Sequence, residues 1–139
     1  MKSIVVSVLM AGIVISALSS CATVPTGPLA PGEVRLLSID IPGKEGVRAK
    51  SRFDVMINFQ ADGEPKIETA CFSWSGDSPR CFEVKDVSYG SPGTVKIKLY
   101  TYDPGTYILK GYVEYIRDGK TEKSNVVSSP ISIAKGGKR

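Results

Sequence analysis

Phe53, Val55, Ile57 and Phe59 alternate with Asp54, Met56, Asn58 and Gln60. A period of two sends the large apolar side chains to one face and the polar ones, with Met56, to the other. A helix cannot gather that pattern into one apolar stripe. The segment is therefore a strand with a single buried face. Val95, Ile97 and Leu99 repeat the pattern against Lys96, Lys98 and Tyr100. Tyr107, Leu109, Val113 and Tyr115 share the inner face of a further strand, with Gly111 between them. A chain with several such segments must pair them into sheets and cover each apolar face with another layer.

Punctuation between these runs supports the same reading. Val34, Leu36, Leu37, Ile39 and Ile41 supply a first strand, stopped by Pro42-Gly43. Asp62-Gly63 turns the chain into a third strand from Lys66 to Trp74, with Ala70, Phe72 and Trp74 in one phase. Gly76-Asp77-Ser78-Pro79 is a loop, Cys81 to Val87 a short returning strand, and Tyr89 to Gly93 another turn. Asp118-Gly119 is a hairpin signal. The last strand is broken, with Lys123 to Val127 and Ile131 to Ile133 on either side of Pro130, which belongs at an edge or a bulge. No segment has helical periodicity and none repeats another. Strands about 10 residues apart predict an all-β antiparallel sandwich of about seven strands.

The amino terminus is of a different kind. Met1-Lys2 is followed by an apolar run from Ile4 to Leu18, interrupted by Ser7, Gly12 and Ser16. A membrane span needs roughly 20 apolar residues. A basic start, a short apolar core and small residues after it make a secretory signal. The run ends in Leu18-Ser19-Ser20-Cys21, which resembles the lipobox of bacterial lipoproteins. That resemblance implies removal of residues 1–20 and a lipid on Cys21. At about 0.8 kcal/mol per buried CH₂, several acyl chains, palmitate among them, hold a protein on a membrane. By the same resemblance, Ala22 after the cysteine implies the outer membrane, facing the periplasm. Residues 21–32 are rich in Pro and Gly and read as a tether reaching roughly 30 Å at about 3.1 Å per residue. Residues 33–134 are the sandwich, and 135–139 a basic tail.

The chain of 139 residues suits one domain after the leader. Its formal net charge of +4 is scattered rather than gathered in a patch, which excludes a nucleic-acid partner. Histidine is absent, which removes the commonest general base and metal ligand. Of the 3 cysteines, Cys71 and Cys81 remain as an even pair once Cys21 is lipidated. In an oxidising compartment the pair reads as a disulfide worth about 2–3 kcal/mol, with a free or regulatory pair as the alternative. The spacing fits neither a zinc knuckle nor a C-x-x-C redox motif. No metal or cofactor is expected.

Asp103-Pro104-Gly105-Thr106-Tyr107 resembles the tyrosine corner of immunoglobulin-like domains, and Trp74 on the third strand resembles their core tryptophan. The resemblance implies that Tyr107 bonds back to nearby backbone where the chain crosses between sheets. Leu109 stands where antibody domains carry a cysteine, so their inter-sheet bridge is missing. Cys71 and Cys81 would instead staple the third strand to its successor.

Such a fold names no activity. Asp54, Glu64, Glu68, Asp77, Glu83, Asp86, Asp103 and Glu114 are dispersed carboxylates, a poor basis for a hydrolase. No G-x-S-x-G or phosphate-binding glycine loop occurs. Tyr112, on an outer face, and the loop carrying Asp77 and Arg80 are the candidate contact residues. The sequence thus leads to a non-catalytic, lipid-anchored envelope protein, an accessory subunit that holds an envelope protein partner. The alternative is a carbohydrate or peptidoglycan-binding module, and the third reading is a hydrolase.

Overall fold

The computed structural model describes residues 24–43, 46–101 and 103–135, so Cys21 and the leader lie outside the described residues. Nine strands follow one another: β1 (Val34–Asp40), β2 (Arg52–Ala61), β3 (Ile67–Trp74), β4 (Arg80–Glu83), β5 (Asp86–Ser88), β6 (Gly93–Tyr100), β7 (Gly105–Arg117), β8 (Lys120–Lys123) and β9 (Val127–Ile133). One sheet runs β1-β2-β6-β5; the other runs β4-β3-β7, with β8 and β9 both paired to β7. All ladders between strands are antiparallel. This is the immunoglobulin-like arrangement, a four-stranded layer of β1, β2, β6 and β5 against one built on β3 and β7.

Two differences raise the expected count of about seven. The returning strand from Cys81 to Val87 divides. β4 pairs with β3 in one sheet, the chain crosses at Val84-Lys85, and β5 pairs with β6 in the other. The last strand also divides, but at Ser124-Asn125-Val126 rather than at Pro130. β8 lies along Glu114–Arg117 and β9 along Gly105–Gly111 of the same strand β7. Pro130 sits inside β9 opposite Ile108, on a strand with a single ladder partner, as a proline in a sheet requires.

The core is the sum of the inward phases. Phe53, Val55, Ile57 and Phe59 of β2 face Phe72 of β3 and Leu109, Val113 and Tyr115 of β7, and all are buried. In β1 the phase changes. Leu36 pairs with Phe59 and Ser38 with Asn58, so Leu37 is an extra residue in a bulge. The bulge lets Leu36 and Ile39 both turn inward although three positions separate them. The Asn125 side chain secures the same place, accepting from the Leu36 amide at 2.8 Å and donating to the Leu36 carbonyl at 3.0 Å. It thus fastens the break between β8 and β9 to the opposite sheet.

The described part of the expected tether, residues 24–32, is not free. Arg35, 6% exposed, donates to the Gly27 carbonyl at 2.7 Å and to the Pro28 carbonyl at 3.2 Å. Glu33 pairs with Arg35 at 3.2 Å and accepts from the Ala30 amide at 2.7 Å. Arg117 holds the Pro31 carbonyl, and Asp62 accepts from the Gly32 amide. From Gly27 onward the segment expected to act as a spacer is fastened to the sandwich.

Candidate contact groove

The sheet switch leaves an opening. β5 covers β6 only over Thr94–Lys96, and β4 borders β3 only over Thr69–Phe72. Each edge strand therefore closes half of one side. Beyond Lys96, toward the end of the sandwich opposite the tether, the flank of β6 faces β4 across a gap. That gap is a cavity of about 520 Å³, lined by Arg52, Lys98, Leu99 and Tyr100 from one sheet and Phe72, Trp74, Arg80 and Phe82 from the other. Asp77, Ser78, Asp103 and Tyr107 come from the loops and strand at that end.

Aromatic contacts shape its floor. Trp74 stands edge-on to Tyr107 at 5.4 Å and to Phe53 at 5.9 Å between ring centres. Both spacings suit T-shaped pairs. Phe72 tilts against Phe82 at 6.4 Å. The corner motif behaves as its resemblance implies. The Tyr107 hydroxyl donates to the Asp103 carbonyl at 3.1 Å, four residues upstream, and lies 3.4 Å from the Pro104 carbonyl. Trp74 is only half-buried, because it sits where the core opens into the groove rather than at the centre of the sandwich.

The loop from Ser75 to Pro79 is fixed at its root. Asp77 accepts from the Trp74 amide at 2.6 Å, and the Ser75 hydroxyl accepts from the Ile108 amide at 3.0 Å. Ser75 and Gly76 both have positive φ, 45° and 95°. A glycine suits the second of these, where a side chain would be strained. Cys71 and Cys81 are bonded to each other, directly opposite in the β3–β4 ladder. The bond pins a strand of four residues, all exposed, to the rigid β3.

Charge in the lining is mixed. Lys98 is occupied by Asp54 at 2.8 Å, and Asp77 by the Trp74 amide. Arg52 and Arg80 are exposed and have no hydrogen-bond or ion-pair partner among the described residues. Against them stands the exposed Asp103 carboxylate.

Trp74, Tyr107, Asp77 and Arg80 thus meet at one site, whereas Tyr112 does not join them. Tyr112 pairs with Cys71 in the β3–β7 ladder and so lies on the outer face of that sheet, where the Lys123 ammonium sits 5.0 Å from its ring centre. It is half-buried and covered by that cation. The Cys71 and Cys81 sulfurs and a Glu114 carboxylate oxygen lie within 4.8 Å of one another. Both sulfurs are spent in the disulfide, and Glu114 accepts from the Thr69 hydroxyl at 2.7 Å, so the cluster offers no thiolate to a metal. Arg52, Lys98 and Phe82 were not foreseen as groove residues. They line the groove because the run from Cys81 to Val87 changes sheets, and no sequence feature of that run announces the change.

The class these features define is an immunoglobulin-like sandwich with a braced edge and an open flank. No family model matches the chain, and no curated protein is similar to it. Among solved structures, the crystal structure of BslA, a bacterial hydrophobin, is similar at 15% identity and a TM-score of 0.37, over 81% of this chain and 100% of that one.

Proposed function

We propose that the protein is a non-catalytic contact module of the bacterial cell envelope. It is anchored through a lipid on Cys21 and holds an envelope protein in the groove between β4 and β6. The observation that carries this reading is the groove itself: an aromatic floor, unpartnered arginines at the rim and a disulfide-braced wall, set at the end opposite the tether. Rigid scaffolds commonly present binding residues this way. The Cys71–Cys81 bond is consistent with an exported protein.

A second reading, a carbohydrate or peptidoglycan-binding module, draws on Trp74 and Tyr107, whose rings could stack on a sugar. The hydrolase reading has Asp77 and Asp103 in one lining. Yet Asp77 is engaged with the Trp74 amide, and both carboxylates stand in solvent.

The test uses a photo-crosslinking amino acid at position 80 or at position 120 in the full chain, in the bacterium that makes it. Position 80 should capture one defined envelope protein that position 120 does not. The Cys21→Ala chain should leave the membrane fraction. Equal capture from both positions, or none from position 80, overturns the groove as the contact surface. Retention of Cys21→Ala on the membrane overturns the anchor.

A further inference from the structure

The edges of the two sheets differ in what they offer another strand. β1 carries the bulge at Leu37, β9 carries Pro130, and β8 reads Lys-Thr-Glu-Lys. Bulges, prolines and charges are the usual devices that stop edge-to-edge pairing. β4 presents Phe82, 37% exposed, between Arg80 and Glu83, with no strand beyond it in the sheet among the described residues. The disulfide prevents this short edge from fraying. Across the gap, β6 runs on past the reach of β5.

We infer that the groove takes an extended acidic peptide that adds to the open edge of β4. The peptide seats a large apolar side chain against Trp74 and Phe82 and sets a carboxylate on Arg80 and Arg52. This rests on the proposed contact function and names the chemistry of the partner segment. Backbone hydrogen bonds along an edge supply affinity, and alternate side chains supply specificity. A glycan cannot continue a β-ladder, so the open edge favours a polypeptide. The sign of the charge follows from the unpartnered groups in the lining, two guanidinium groups against the single carboxylate of Asp103. A guanidinium binds a carboxylate through two parallel hydrogen bonds, which fixes orientation as well as charge.

Trp74 is the sole tryptophan of the chain and lies in the groove, so its emission reports occupancy. The experiment titrates the detergent-solubilised full chain with three probes. The first is a capped octapeptide of alternating aspartate and valine with one central phenylalanine. The second is the same peptide with lysine for aspartate, and the third is an oligogalacturonate. The aspartate peptide should shift or quench the emission saturably, and the lysine peptide should require at least tenfold more. Arg80→Glu should weaken the aspartate peptide at least tenfold, whereas Tyr112→Ala should leave it within twofold. Both positions lie outside the core, and far-ultraviolet circular dichroism checks that each variant is folded. A response equal for the two peptides, or no saturable response to the aspartate peptide, overturns the inference. So does saturation by the oligogalacturonate alone, which would make the groove a site for anionic glycans. Failure here with capture from position 80 intact removes the acidic peptide and leaves the contact function. Loss of that capture removes the contact function itself.

Discussion

Phe59 leaves no room beside it. A methyl group on Gly93, its ladder partner, would stand 2.4–2.8 Å from the ring, which is 1% exposed and packed edge-on to Tyr89. Gly93→Ala should therefore lower stability by roughly 1–3 kcal/mol in urea unfolding, the usual cost of overpacking. Gly46 has open space around it and a φ outside the left-handed region. Gly46→Ala should be neutral or stabilising by up to about 1 kcal/mol. Tyr89 adds a pH dependence. Burial pushes its phenol above the ordinary value of 10.0, and its hydroxyl donates to the Pro65 carbonyl. The folded state prefers the neutral phenol, so this contribution is complete below pH 10.0 and disappears as pH rises through the folded value. Stability should fall on raising pH above 10.0, and Tyr89→Phe should flatten that fall in thermal melts followed by circular dichroism.

At the scale of elements, the clamp on the tether can be tested directly. The Ala30 amide first, and then Arg35, hold the Glu33 carboxyl below its ordinary value of 4.5. Its ionised form favours the clamped state, so that stabilisation is present above pH 4.5 and is lost as pH falls through the lower folded value. Arg35→Ala leaves Glu33 without its ion pair and two tether carbonyls without donors. It should cost on the order of 3 kcal/mol and open the segment before Glu33 to limited proteolysis. An uncut segment in that variant would contradict the clamp. Alternation made the strands β2, β6 and β7 legible, because one face of each is solvated and the pattern survives. The β3–β4 staple was legible from cysteine count and spacing, and the corner from its five-residue motif. The clamp was not legible, because Arg35 falls within the β1 pattern and its acceptors are backbone carbonyls with no signature. The groove was not legible either. It exists because the chain changes sheets at Val84-Lys85, and a run of seven residues does not declare which neighbour each half pairs with.

Across the whole molecule, tether and groove occupy opposite ends of the strands. Val34 pairs with Ala61 at the tethered end, and Arg52 with Tyr100 at the open end. The ten residues of β2 between them, at about 3.3 Å per residue, separate the two ends by roughly 30 Å. If Cys21 carries the lipid, Trp74 is held clear of the bilayer. Brominated acyl chains should leave its emission unquenched in reconstituted vesicles, while a tryptophan placed at Lys120 in a Trp74→Phe chain should be quenched more strongly. Equal quenching at the two positions would contradict this polarity. The same layout governs how the domain bears load. With the proposed partner seated at one end and the proposed anchor at the other, load would run along the strands, so the β1–β2 rungs would be sheared together rather than peeled one after another. In that layout the Arg35 hydrogen bonds to the Gly27 and Pro28 carbonyls precede β1 along the chain and would meet tension before the sandwich does.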